Sequence, residues 1–99
     1  MATNIGINGF GRIGRSVFRI LSDRDDLNVI CINDLFENEQ LAYLLKYDTV
    51  MGIFPKEVHA TADAMYVDEN KVVMTDQRDP AVIPWKDPGV DIVIESTGC

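Results

Sequence analysis

Apolar residues follow two rhythms along this chain, one of period two and one of helical period, and they alternate from segment to segment. Asn4-Ile5-Gly6-Ile7-Asn8 carries isoleucines at alternate positions and predicts a short strand. Ile13, Val17, Ile20 and Leu21 then recur at helical spacing, predicting a helix with one apolar stripe to bury. Leu27-Asn28-Val29-Ile30-Cys31-Ile32-Asn33 is nearly continuous and β-branched, as expected of a parallel strand with helices over both faces of its sheet. From Asn38 to Tyr47 the helical period returns, with Leu41, Leu44 and Leu45 on one side. Beyond Gly52 and Pro55 the chain alternates again. Glu57 to Thr61, Met65-Tyr66-Val67 and Lys71 to Thr75 read as strands, and Asp68-Glu69-Asn70 turns between the last two. These predict a small antiparallel meander inserted in a parallel sheet. Pro80, Pro84 and Pro88 punctuate a connector in which Trp85 serves as a local hydrophobic anchor. Asp91-Ile92-Val93-Ile94-Glu95 is a final strand of buried type. Strands interleaved with helices in this way specify the α/β class.

Chemistry enters where the first strand hands over to the first helix, at Gly9-Phe10-Gly11-Arg12-Ile13-Gly14. Three glycines at this spacing are a weak signal alone. The strand before them, the helix after them and an acid, Asp34, twenty residues past the last glycine supply the specificity. Gly9 frees the backbone for a sharp turn, and Gly11 leaves no Cβ in the way. The N–H groups of Gly11, Arg12 and Ile13 can then approach a diphosphate at the helix N-terminus, where unpaired donors and the macrodipole favour negative charge. Gly14 lets the helix lie close to the strand. Asp34 ends the second strand, where a carboxylate can accept hydrogen bonds from adenosine ribose hydroxyls and repels a 2′-phosphate. No Arg or Lys follows in Leu35-Phe36-Glu37-Asn38, so the cofactor is expected to be NAD and not NADP. A second reading makes Asp34 the N-cap of the next helix, in a capping box with Glu37. Arg12 and Arg15 oppose the helix dipole in the first turn. Either they attend an anion, or they snorkel outward onto carboxylates such as Asp23 or Asp25.

Ile7-Asn8-Gly9-Phe10-Gly11-Arg12-Ile13-Gly14-Arg15 resembles the opening of the phosphorylating glyceraldehyde-3-phosphate dehydrogenases. In the family's order, so do Asn33-Asp34, the run from Leu41 to Val50, Gln77-Arg78-Asp79-Pro80 and Glu95-Ser96-Thr97-Gly98. Met51 departs from the pattern, since the family usually has a histidine before Gly52, and so does Cys99, where an aliphatic residue usually stands. The related erythrose-4-phosphate dehydrogenases share the opening but typically carry Asn-Glu where this chain has Asn33-Asp34. The resemblance implies that Asn8, Gly9, Phe10, Gly11, Arg12 and Ile13 line NAD, with the amides of Arg12 and Ile13 on the pyrophosphate. It also implies that Asp34 holds the adenosine ribose and that Arg78 lies beside the adenine through its main chain. Ser96, Thr97 and Gly98 would pass under the cofactor; without the resemblance they read as an ordinary strand-to-loop turn. The reaction implied is addition of a cysteine thiolate to the aldehyde of glyceraldehyde 3-phosphate, hydride transfer to the nicotinamide, and cleavage of the thioester by phosphate. The family acts as a homotetramer in glycolysis. Its nucleophile stands in a Ser-Cys-Thr-Thr-Asn segment, which this chain lacks, so Cys99 is not assigned that role.

Ninety-nine residues suffice for one modest core, whereas a full dinucleotide domain has two mononucleotide halves and six strands. The expected fold is the first half of a Rossmann-type doubly wound parallel sheet with a small antiparallel insertion, truncated before the remaining strands and the catalytic domain. Residues 1–99 would form an incomplete N-terminal NAD-binding domain, with Ile92, Val93 and Ile94 along an unpaired edge. Alone, such a chain is expected to bind NAD weakly and to lack dehydrogenase activity. The competing readings are a noncatalytic dinucleotide-binding module and a site for another nucleotide ligand, such as S-adenosylmethionine or flavin. A formal charge of −7 disfavours affinity for nucleic acid or anionic membrane. Two cysteines sixty-eight positions apart, without a signal peptide or a long apolar run, fit a reducing, cytoplasmic setting. Cys31 reads as an inert buried thiol and His59 as a surface histidine, with no metal-ligand spacing around them. Tyr43 and Tyr47 read as packing or interface residues.

Overall fold

The computed structural model describes residues 3–48, 50–86 and 88–97. The chain begins with β1 (Thr3–Asn8), α1 (Arg12–Leu21), β2 (Leu27–Asn33) and α2 (Asn38–Lys46), followed by a hairpin of β3 (Tyr47–Asp48) and β4 (Gly52–Ile53). Next come β5 (Val58–Ala60), β6 (Ala64–Val67) and β7 (Asn70–Thr75), a 3-10 turn at Pro80–Val82, and β8 (Ile92–Glu95). The main sheet has the order β5-β6-β7-β2-β1-β8. Strands β7, β2, β1 and β8 are parallel, while β5 and β6 run antiparallel beside β7. The meander therefore extends the parallel sheet outward, with its last strand, β7, joined in parallel to β2. From β1 the chain moves outward through β2 to β7 and then crosses back to lay β8 on the other side of β1. Strand order reverses between β1 and β8, the place where open α/β sheets bind ligands outside their carboxyl ends.

Register explains which residues meet. Ile7 is paired with Ile32 and Ile94, and Ile32 with Met74, so these share one face of the sheet. That face is packed with Phe10, Phe18, Leu41, Ala42, Leu45 and Phe54 into one core. Full burial of an aliphatic or aromatic side chain contributes about 1.5–3 kcal/mol. On the opposite face lies Gly6, paired with Cys31 and Val93. A Cβ on Gly6 would sit 2.7 Å from the Trp85 ring and 3.1 Å from Val90. Trp85 is thus a hydrophobic anchor as expected, and Gly6 is the slot that receives it.

Three expectations are corrected here. Both α-helices among the described residues pack into the same core on one face, and the second face at β1 is met by the irregular connector carrying Trp85 and Val90. The apolar stripe of α1 is also rotated. Ile13 and Ile20 are 66% and 64% exposed, whereas Gly14 and Phe18 are buried and Leu21 packs on the core. Phe18 meets Phe10 and Phe54 edge-on at 5.7 and 6.4 Å, and Gly14 presses against the Gly9 carbonyl. These two contacts set the rotation of the helix more firmly than the count of aliphatic residues. In α2, likewise, Leu41, Ala42 and Leu45 are buried while Leu44 is exposed.

Arg19 joins the helices. Its Nη2 donates to the carbonyls of Leu45 and Gly52 at 2.6 and 2.8 Å, and its guanidinium lies 5.3 Å from the Phe54 ring centroid. The carbonyl at the end of α2 is thereby satisfied from α1. Tyr43 and Tyr47 are exposed with their rings 5.1 Å apart, and exposed His59 stacks on Tyr66. No helix among the described residues is long and apolar enough to cross a membrane.

Cys31 is fully buried, and burial pushes its thiol up to about 11. An ionised thiolate is disfavoured in the folded chain, so this group supports the fold below its ordinary value near 9 and withdraws that support as pH rises toward about 11. Urea midpoints of a Cys99→Ser variant are expected to fall between those pH values, and to fall less when Cys31 is also replaced by alanine. Equal slopes for both proteins would contradict this.

Candidate functional site

The turn from β1 into α1 is built by glycines that serve different ends. Gly9 has φ +94°, a backbone conformation that L side chains resist, and its N–H donates to the Asn33 carbonyl at 2.8 Å. A Cβ there would lie 2.7 Å from both N and Cα of Thr97. At Gly14 a Cβ would strike the Gly9 carbonyl and approach Ser96 Oγ to 2.9 Å. These two glycines let the loop, the helix and the exit from β8 close on one another. Gly11 is different. Its φ is −77°, open to any residue, and a Cβ would meet nothing within 4 Å. Among the described residues no contact requires glycine here, so the absent Cβ leaves open space at the start of α1.

That space faces unpaired donors. The first bond of the helix runs from Arg15 N–H to the Gly11 carbonyl at 2.9 Å, and among the described residues no side chain caps the N-terminus. The N–H groups of Arg12, Ile13 and Gly14 precede that bond and have no intrahelical acceptor. Arg15 turns back on the loop, its Nη1 donating to the Phe10 carbonyl at 2.9 Å, instead of pairing with Asp23 or Asp25. Asp23 has Lys56 Nζ at 4.0 Å. Arg12 and Ile13 are exposed.

Asp34 stands at the end of β2, beside this turn. Its Oδ2 accepts from Phe10 N–H at 2.7 Å, and its Oδ1 accepts from Phe36 N–H at 2.9 Å. The capping box is not formed: the N-cap of α2 is Glu37, without a side-chain cap. A carboxylate has room for further donors beyond two, so Asp34 can hold the loop and still accept from a ligand hydroxyl. The Phe10 side chain is fully buried in the core, which leaves its main chain as the part facing the crevice.

A chain of polar side chains, buried at Asn8 and Asn33 and open to solvent at Glu95, ties together the carboxyl ends of the four parallel strands. Glu95 accepts from Asn8 Nδ2 with both oxygens, at 2.7 and 3.1 Å. Asn8 Oδ1 accepts from Asn33 Nδ2 at 3.0 Å, and Asn33 Oδ1 accepts from Thr75 Oγ1 at 2.6 Å. Asn33 also takes the main chain of Gln77, accepting its N–H at 2.9 Å and donating to its carbonyl at 3.0 Å. Arg78 follows directly and is exposed. Ser96 closes the crevice on the β8 side, its N–H donating to the Asn8 carbonyl at 2.9 Å and its Oγ to the Gly9 carbonyl at 2.5 Å. Gly98 and Cys99, like Thr49, lie outside the described residues.

Asn8, Gly9, Phe10, Gly11, Arg12, Ile13, Gly14, Asp34, Ser96 and Thr97 thus gather at one end of the sheet, with Arg78 at its β7 side. Sequence spacing alone does not single out Asn33, Thr75, Gln77 or Glu95. The available signal was an asparagine ending each of two neighbouring strands. Chemically the crevice offers free amide dipoles and a carboxylate acceptor, a set that binds and orients. Among the described residues, no group of three or more His, Cys, Asp and Glu side chains is arranged to hold a metal ion.

A family model described as the NAD-binding domain of glyceraldehyde 3-phosphate dehydrogenase matches residues 3–99. The chain is 50% identical over 96 residues to glyceraldehyde-3-phosphate dehydrogenase 1 of Bacillus cereus, covering 97% of this chain and 29% of that protein. It is 50% identical over 99 residues to glyceraldehyde-3-phosphate dehydrogenase 1 of Streptomyces avermitilis, covering 99% of this chain and 30% of that protein. Identity is 46% over 98 residues to the cytosolic glyceraldehyde-3-phosphate dehydrogenase of Trypanosoma brucei brucei, covering 99% and 30% respectively. The chain therefore spans about 30% of the length of the curated relatives it matches.

Proposed function

The chain belongs to the glyceraldehyde-3-phosphate dehydrogenase family, matching its NAD-binding domain, and from that premise we propose how its residues hold NAD. The amides of Gly11, Arg12 and Ile13 take the pyrophosphate, Gly9 and Gly14 shape the turn, and Asn8 and Phe10 support it from below. Asp34 takes the adenosine ribose. The main chain at Arg78 lies beside the adenine, and Ser96 and Thr97 run under the cofactor at the reversal of strand order. One observation carries this reading: the open space at Gly11, a position where nothing among the described residues calls for glycine. A diphosphate approaching the helix start does call for it.

Filling that space tests the reading. A Gly11→Val change is expected to weaken NAD at least tenfold by calorimetric titration, a loss of about 1.4 kcal/mol or more. The urea midpoint should stay close to that of the unmodified chain. NAD affinity unchanged by the valine would refute the assignment.

For the whole protein, the activity proposed is NAD-dependent oxidation and phosphorylation of glyceraldehyde 3-phosphate to 1,3-bisphosphoglycerate, in a cytoplasmic homotetramer working in glycolysis. Bound NAD supplies a hydride acceptor at the nicotinamide. This domain's part is to hold the cofactor in one orientation, so that the transfer is effectively intramolecular. The nucleophile is expected outside residues 1–99, because the Ser-Cys-Thr-Thr-Asn segment is absent from them. The 99-residue chain alone is therefore expected to be inactive. Formation of NADH from glyceraldehyde 3-phosphate by this chain would contradict that.

A further inference from the structure

We infer that Asn33 is a positioning residue for the adenosine half of the cofactor: its carboxamide clamps the main chain of Gln77 and so sets the Arg78 segment against Asp34. The inference rests on the NAD-binding site proposed above. Asn33 is 4% exposed, and all four of its side-chain hydrogen-bonding positions are used. Oδ1 accepts from Thr75 Oγ1 and Gln77 N–H, while Nδ2 donates to the Gln77 carbonyl and to Asn8 Oδ1. An N–H can only donate and a carbonyl can only accept, so Gln77 itself dictates which way the amide faces. The order continues through Asn8, whose own Nδ2 is committed to Glu95.

The clamp acts just where the sheet ends. Strand β7 stops at Thr75, whose carbonyl accepts from Asp34 N–H at 3.0 Å. Beyond that rung Asp76, Gln77 and Arg78 are exposed. The Asn33 side chain takes over where the backbone ladder stops, gripping both polar groups of the Gln77 peptide. Asn33 and Asp34 are adjacent, so one turn of chain fixes the ribose acceptor and the loop leading to Arg78 in a single frame. Removing the Asn33 carboxamide leaves the backbone rungs of β1, β2 and β7 in place and releases the loop.

The test uses the full chain with Asn33→Ala, titrated calorimetrically with NAD and with 5′-AMP, together with amide hydrogen exchange. Losing a clamp of two hydrogen bonds is expected to weaken AMP on the order of tenfold, and NAD by a similar factor. Exchange at the Gln77 amide should accelerate while the Gly9 amide, bonded to the Asn33 carbonyl, keeps its protection. A merely structural loss would expose both amides together, and that result overturns the inference, as does AMP affinity within twofold of the unmodified chain. Should Asn33→Ala lose its cooperative unfolding transition, Asn33→Ser is held to the same criteria. If the unmodified chain binds neither NAD nor AMP, the dinucleotide reading itself falls. If it binds both and the variant is unaffected, only the role of Asn33 falls.

Discussion

Changing Asp34 to asparagine is expected to collapse the preference for NAD over NADP by more than tenfold. The reason is charge at short range. A 2′-phosphate brought to about 4 Å of the Asp34 carboxylate is repelled by about 4 kcal/mol per unit charge at a surface-like effective dielectric, before salt screening. Asparagine removes that charge but keeps an acceptor for the Phe10 amide, which Asp34 Oδ2 now takes at 2.7 Å. NADP should therefore gain more than NAD loses. Alanine removes the acceptor as well. Asp34→Ala should weaken NAD further, by freeing the Phe10 amide at the turn that presents the diphosphate donors. Parallel titrations of both nucleotides at two salt concentrations separate these effects, because the charge effect shrinks with salt and the hydrogen bond does not. If the unmodified chain bound NADP as well as NAD, the assignment of Asp34 would fail.

The largest effect on the fold is expected at Gly9. Alanine at φ +94° incurs the left-handed penalty of about 1–2 kcal/mol. Its Cβ would also press to 2.7 Å on the Thr97 main chain, which cannot rotate away as a flexible side chain could. Overpacking of that kind costs about 1–3 kcal/mol. Together they take about 2–5 kcal/mol from a domain whose total stability is on the order of 5–15 kcal/mol. Gly11→Ala makes the contrast. With φ −77° and open space around it, that change should leave the urea midpoint nearly untouched. Equal midpoints for the two alanine variants would show that the loop is not held against the exit of β8 as described.

Much of the molecule is legible in its sequence. The span of β2, Leu27–Asn33, matches its apolar run residue for residue, and α2 begins at the predicted Asn38. That Gly9, Gly11, Gly14 and Asp34 lie together at the exit of β1 follows from loop chemistry and spacing, which are local properties. The hairpin of β3 and β4 was not foreseen, since two residues per strand are too few to show a period. The face of α1 departs from its sequence pattern for another reason. A count of aliphatic positions favoured Ile13 and Ile20, whereas contacts of Phe18 with Phe54 and of Gly14 with Gly9 turned the helix elsewhere.

What the amino-acid order determined by itself is the set of elements, the glycine turn and the carboxylate that follows it. These depend on the chain's own periodicity and on neighbours a few residues away. Tertiary structure alone decided that Trp85 fills the slot at Gly6, that Asp34 also braces the Phe10 amide, and that Asn33 grips a peptide 44 positions further on. Each of those contacts joins the ends or faces of different strands. Hydrophobic rhythm records which side of an element is buried, and it carries no information about which distant residue will lie opposite.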